Sequence, residues 1–228
     1  MDNILKLPKN DQGRDFFVGD IHGCYELLMH HLSLVNFDKQ VDRLISVGDL
    51  ADRGPSSEEC VQLIREPWFF AVRGNHEDMC IGVHRGGWPQ GNFMSNGGQW
   101  FTDLDIFQSR QEQLVELMET LPLFIEVPIG DSVVGVLHAD CVVHSWKAYS
   151  GVYNEESVIW GRSRIYSKAH DWVHDISVVV VGHTPVKEVQ VLGNVVYIDT
   201  GAVYGKGLTL IEGKDLLKLV PNETPSKH

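Results

Sequence analysis

Long apolar runs are missing from this 228-residue chain. The longest, Val178 to Val181 with its flanks, falls far short of the ~20 residues that cross a bilayer, so no membrane span or membrane partner is expected. Met1 to Asn10 likewise lacks the apolar stretch of a signal peptide. Cysteine is sparse: Cys24, Cys60, Cys80 and Cys141 are scattered, with no CxxC pair. That excludes a disulfide framework and a thiolate zinc site, and fits the reduced thiols of a cytoplasmic protein. Basic charge is also scarce, at 19 Lys and Arg against 31 Asp and Glu for a net charge of −12, which argues against a nucleic-acid partner. No repeat, low-complexity tract or interdomain linker interrupts the chain, and no heptad pattern calls for an obligate assembly. The expectation is one domain over 1–228, favouring a monomer, with flexible termini at 1–12 and 221–228.

Present instead is an ordinary globular composition, 43% hydrophobic and 22% charged, arranged in strand and helix periods. Asp15 to Val18, Arg43 to Val47 and Trp68 to Val72 read as strands. Tyr25 to Val35 and Ser56 to Ile64 read as helices, the second opened by serine and glutamate in its first turn. This β-α-β-α-β order predicts parallel strands with right-handed crossovers in an α/β fold. Residues 84–103 break the pattern with Gly, Asn and Trp and read as a long functional or mobile connection. Gln111 to Thr120 returns to helix. The second half is strand-rich (Phe124 to Ile129, Ser132 to Leu137, Ser177 to Val181, Val195 to Ile198, Gly207 to Ile211), with a hairpin turn at Gly130-Asp131.

Five short segments set metal-ligand residues at the ends of these apolar runs: Gly19-Asp20-Ile21-His22-Gly23, Gly48-Asp49-Leu50-Ala51-Asp52-Arg53-Gly54, Gly74-Asn75-His76-Glu77, His138-Ala139-Asp140 and Gly182-His183-Thr184. Asp20 and Asp49 are 29 residues apart and Asp49 and Asn75 are 26 apart, each about one βα repeat. The three segments therefore emerge side by side at carboxyl strand ends, where α/β sheets carry their sites. Taken singly, an Asp or Asn beside Gly is a turn residue. Six ligand-type residues at successive strand ends are another matter.

Two dications need a shared anionic bridge and hard oxygen or nitrogen ligands. Asp20 and His22 suit one ion, Asp49 is the natural bridge, and Asn75, His138 and His183 complete the other. The lack of thiolate favours Mn, Fe or Zn with open water positions, and a bridging hydroxide as nucleophile. Arg53 and Arg73, with Arg162 in Trp160-Gly161-Arg162 as a third candidate, offer planar forks for phosphate oxygens. His76 can protonate the leaving oxygen, held by Asp52. His170 and His174 lack the glutamate of an HExxH site and read as solvated helix-surface residues.

These motifs resemble the phosphoprotein phosphatase family of metallophosphoesterases, whose signature GDxHG, GDxxDRG, GNHE, His and His stands here as GDIHG, GDLADRG, GNHE, HAD and GHT, from Asp20 to His183. The small size, the HAD variant and Asn96-Gly97-Gly98-Gln99-Trp100 are similar to bacterial and bacteriophage lambda-type serine/threonine phosphatases. The resemblance implies a calcineurin-like metallophosphoesterase fold, a β-sandwich of two mixed sheets flanked by helices. It implies two divalent ions, commonly Mn²⁺ with Fe or Zn as alternatives: Asp20, His22 and Asp49 on one, Asp49, Asn75, His138 and His183 on the other. His76 with Asp52 would be the general acid, and Arg53 and Arg73, with Arg162 less closely matched, would bind phosphate. The expected substrates are phosphoserine, phosphothreonine and phosphotyrosine in phosphoproteins or phosphopeptides. A symmetrical dinucleoside tetraphosphatase is the alternative enzyme, and a non-catalytic metallophosphoesterase-like binding module the alternative class.

Overall fold

Period-two alternation on short apolar strands fills both faces of two stacked sheets. The computed structural model describes residues 4–104 and 109–221. In the smaller sheet β2 (Asp15–Val18), β3 (Arg43–Ser46) and β4 (Phe69–Ala71) run parallel, and β10 (Leu210–Glu212) lies antiparallel against β2. Helices α1 (Tyr25–Leu34) and α2 (Ser57–Gln62) make the crossovers. The larger sheet has the order β1 (Ile4–Lys6), β5 (Phe124–Ile129), β6 (Ser132–Val136), β7 (Val178–Val181), β9 (Val195–Tyr197), β8 (Gln190–Leu192). Its parallel pairs are β1–β5, β6–β7 and β7–β9, and its antiparallel pairs are the β5–β6 and β8–β9 hairpins. The sheets are thus mixed, as expected.

Alternation decides which side chain goes where. Phe17 and Ile45 of the small sheet meet Ile125, Val127, Val134, Val178, Val180 and Val196 of the large one between the layers. Their neighbours point outward: Phe16, Val18 and Leu44 pack beneath Leu28 and Leu32 of α1, while Phe124, Val179, Val181 and Tyr197 pack beneath Trp146, Tyr149 and α7 (Glu155–Trp160). Each fully buried aliphatic or aromatic side chain is worth roughly 1.5–3 kcal/mol, so this three-layer burial is the main force holding the sheet edges in register. A further apolar cluster joins α3 (Asn75–His84) to α6 (Ser109–Glu119).

Three expectations are corrected. Residues 4–6 of the proposed loose N-terminus form β1, because Ile4 and Leu7 are buried and the strand hydrogen-bonds in register with β5. Residues 1–3 of that expectation, and 222–228 of the proposed loose C-terminus, lie outside the described residues. The 84–103 connection, read as a break in the strand and helix pattern, folds into α4 (Gln90–Ser95) and α5 (Gln99–Thr102), pinned by Phe93 and Phe101, which are buried with rings 6.0 Å apart. Two buried aromatics in a Gly-rich segment suffice to give it a core. His170 and His174 are exposed as expected but not helical, for α8 (Ser163–Ser167) ends before them and His174 instead pairs in an isolated bridge with Ser145.

Candidate metal centre

Each expected ligand sits just past a strand whose carboxyl end opens on one edge of the sandwich. Asp20 follows β2, Asp49 follows β3, Asn75 begins α3 after β4, His138 follows β6 and His183 follows β7. All are buried, as is His22. Turning the chain sharply at these ends requires backbone that L residues seldom adopt. His22, Asp49, Asp52, Arg53 and His183 all have φ between 44° and 70°. Such a conformation costs of order 1–3 kcal/mol per residue and persists only where surrounding structure compels it. Gly182 shows the closeness of the packing: a Cβ there would come 2.0 Å from Asp20 Oδ1.

Asp49 is at the centre. Its Oδ1 faces His138 Nε2 at 3.3 Å and accepts the His76 backbone N–H at 3.0 Å, while Oδ2 faces His22 Nε2 at 3.5 Å and His76 Nε2 at 3.9 Å. Asn75 Oδ1 lies 3.0 Å from His138 Nε2 and 2.8 Å from His183 Nδ1. Asp20 is joined to this group through the His183 backbone N–H, which its two oxygens accept at 2.9 and 3.2 Å. Two sets of donors thus converge on Asp49, His22 with His76 and His138 with His183. The structure brings together all six expected ligands, with Asp20 joined through the His183 backbone and His76 beside His22 in the first set.

The chemistry of this set fits cations. His138 Nδ1 donates to Val47 O at 2.7 Å and His22 Nδ1 to Ala51 O at 2.8 Å, which leaves both Nε2 lone pairs directed inward. His138 Nε2 therefore meets Asn75 Oδ1 and Asp49 Oδ1 with acceptors facing acceptors and no proton among them. Burial lowers the pKa of His138, and takes those of His22 and His183 down to about 3, so the rings are neutral ligands. The carboxylates are crowded too. Burial, then the charges of Asp199 and Asp49, hold Asp20 well above the usual range, and burial raises Glu77 to about 7 and Asp199 to about 6. Of these site carboxylates only Asp49 is lowered, because its burial is outweighed by the positive charge the four surrounding imidazoles would carry when protonated. Buried carboxylates and acceptor nitrogens gathered in this way suit bound dications.

The acid pair is also assembled. His76 Nδ1 is 2.6 Å from Asp52 Oδ2, both residues fully buried. Burial works to lower the His76 pKa, but Asp49 and the Asp52 hydrogen bond and charge outweigh it and raise it. The arginines differ among themselves. Arg53 is exposed, and its two terminal nitrogens reach His22 Nε2 at 2.5 Å and His76 Nε2 at 2.7 Å. Arg73 is turned instead to Glu155 at 3.2 Å and Asp78 at 3.9 Å. Arg162 lies between α7 and α8, and after burial and nearer groups its charge adds to the lowering of His138 and His183.

Sequence reasoning missed four residues. Glu77, though inside GNHE, received no role. Its carboxylate accepts from the backbone N–H of Asp49, Leu50 and Gly74 at 2.9 to 3.0 Å and so ties two ligand loops together. Asp140, inside HAD, accepts from Arg164 N at 3.2 Å and from Ser163 N, fixing the turn after Arg162. Trp100 donates to Asp52 Oδ1 at 2.5 Å. Asp199, after β9, carried no local signal beyond its place behind an apolar strand. Beside the centre opens a cavity of about 570 Å³ lined by Asp78, Glu155, Glu156, Met79, Trp88 and Trp160, the two tryptophans stacked 5.6 Å apart. Trp160 connects it to the centre, edge-on to His183 at 6.3 Å.

Comparison with known proteins agrees with this geometry. Residues 16–211 match the calcineurin-like phosphoesterase family. The chain is 41% identical over 201 residues to serine/threonine-protein phosphatase 1 of Salmonella typhimurium, covering 85% of this chain and 88% of that one. It is 34% identical over 204 residues to serine/threonine-protein phosphatase 2 of the same organism, covering 86% and 91%. Among solved structures, a putative diadenosine tetraphosphatase superposes with a TM-score of 0.65 at 22% identity over 93% of this chain and 99% of that chain, a likeness of fold. By motif, fold and sequence, the chain belongs to the calcineurin-like phosphoesterase family and is similar within it to bacterial serine/threonine-protein phosphatases.

Proposed function

We propose that this protein is a serine/threonine protein phosphatase that hydrolyses phosphomonoesters, phosphotyrosine included, by direct in-line attack of water without a phosphoenzyme. The observation that carries the proposal is Asp49, whose two oxygens face two separate sets of imidazoles while the buried Asp52–His76 pair stands alongside. Asp20, His22 and Asp49 would hold one divalent ion, and Asp49, Asn75, His138 and His183 the other, with Mn²⁺ the favoured metal. When bound, the two ions supply Lewis acidity and an activated water. The protein's own residues do the rest. Arg53 lies within reach of His22 and His76 and would grip the phosphate oxygens, joined by Arg73 and Arg162. His76 in its imidazolium form, its Nδ1–H held by Asp52 and Arg53 turned to the phosphate, would present Nε2–H to protonate the departing alkoxide.

The cavity beside the centre supports a peptide over a polyphosphate chain. Asp78, Glu155 and Glu156 would repel the anionic bridge of a dinucleotide, whereas a peptide flanking the phosphorylated residue brings no such charge and finds apolar wall in Met79, Trp88 and Trp160. Turnover of a phosphoserine peptide against diadenosine tetraphosphate with Mn²⁺ present tests the reading. A clear preference for the peptide is expected, and a preference for the dinucleotide would overturn it. A monomer working in the cytoplasm fits the charge, cysteine usage and proposed substrates.

A further inference from the structure

The Asn96-Gly97-Gly98-Gln99-Trp100 segment takes no part in the reaction as described, yet it touches both members of the Asp52-Arg53 pair. Asp52 has no exposed surface, and burial raises its carboxyl above the ordinary range. A carboxylate so placed keeps its charge only if its oxygens are hydrogen-bonded. The two donors to those oxygens are unlike: Oδ2 takes the His76 ring N–H at 2.6 Å, and Oδ1 takes the Trp100 indole N–H at 2.5 Å. The Asp52 backbone N–H is separately anchored on Ser57 Oγ at 2.9 Å, which leaves the carboxylate to be set by its own partners. Trp100 is one of these, from 48 residues away along the chain. It is in turn set by its neighbours. Its ring meets Phe101 edge-on at 5.6 Å, and Gly97, at φ +96°, sits so close that a Cβ would come 2.5 Å from Arg53 N.

We propose that Trp100 is a positioning residue for general-acid catalysis. Its indole N–H fixes the plane of the Asp52 carboxylate, which fixes the His76 ring with its Nδ1 protonated and Nε2 directed at the leaving oxygen. Asn96 to Trp100 is then a brace for the acid and for Arg53, besides lending Asn96 to the cavity wall. This rests on the acid role of His76 given above.

Trp100→Phe removes the N–H and keeps a ring against Phe101. In the Mn²⁺-loaded full chain, kcat on a phosphoserine peptide should fall about ten- to a hundredfold, what one hydrogen bond to a charged group is worth. KM should stay within about twofold, and kcat on 2,4-dinitrophenyl phosphate, whose leaving group needs no proton, within about threefold. In the metal-free protein, NMR of labelled histidine should show the His76 Nδ1–H resonance shifted or broadened. Equal losses on both substrates, or no loss with that resonance unmoved, would overturn the proposal. If the variant does not fold, Asp52→Asn serves: the Trp100 indole N–H should be far downfield in the wild type and move upfield in the variant. A wild-type indole at the frequency of a solvent-bonded tryptophan would also overturn it. Wild-type protein inert toward every phosphate ester would sink the proposed function, leaving the two NMR readings to decide the role of Trp100.

Discussion

The two edges of the small sheet both hold buried aspartates, and they treat them in opposite ways. At the amino edge, Asp15 and Asp42 are each closed by an arginine: Arg43 grips Asp15 at 2.6 and 2.9 Å, and Arg14 grips Asp42 with side chain at 2.6 Å and backbone at 2.7 Å. At the carboxyl edge of the same strands, Asp20 and Asp49 are no more exposed, yet among the described residues neither is paired with an arginine or lysine. They face imidazoles, an amide and one another's charge instead. Buried carboxylates with every lone pair answered are closed structural pairs, and buried carboxylates left facing further ligands are a site. The residue type is the same, so the partners alone separate structure from chemistry.

Substitutions at the two edges sharpen or break this contrast. Asp49→Ala should bring turnover to background and strip metal from both positions, because both depend on it, while the melting temperature of the metal-free protein stays near wild type. Retention of two ions would end the bridging role. His76→Asn comes next, lowering kcat by about 10²–10⁴ for substrates with poor leaving groups and leaving metal content nearly unchanged. At the amino edge, Asp42→Asn should cost about 1–3 kcal/mol of stability by denaturant titration and leave kcat alone. That contribution is pH-dependent. Burial works to raise the Asp42 carboxyl, but the Arg14 side chain and the Asp38 and Arg14 backbone donors outweigh it and lower it. A lowered folded-state pKa means the stabilisation is complete above the unfolded value of about 3.9 and lost as pH falls through the folded one. The wild-type advantage over Asp42→Asn should therefore hold at neutral pH and vanish in acid. The smallest effect is at the cavity: Glu156→Gln should raise KM for phosphopeptides bearing basic residues by about twofold to fivefold and leave aryl phosphates unaffected.

Much of this was legible in the residues. β2, β3 and β4 fell within a residue or two of expectation because each apolar run ends at a Gly-Asp or Arg-Gly-Asn turn, and five of the strand ends carry ligand residues in compact motifs. β1 was not legible, since three residues owe their strand entirely to pairing with β5. Trp100 was noticed only as part of the Asn96–Trp100 resemblance and given no role, because its partner is Asp52, far off in sequence, and a hydrogen bond across such a distance leaves no periodic trace. Neither could the left-handed backbone of His22, Arg53 and His183 be foreseen, as local propensity disfavours it and only the assembled edge enforces it.

The central claim is that the carboxyl edge is a two-ion hydrolytic site centred on Asp49. Stripping the protein with a chelator and titrating Mn²⁺ back, with bound metal and p-nitrophenyl phosphate hydrolysis followed together, tests it most directly. Two ions per chain with activity returning as the second binds is the predicted result, and hydrolysis that survives metal removal, or full activity with a single ion, would contradict it.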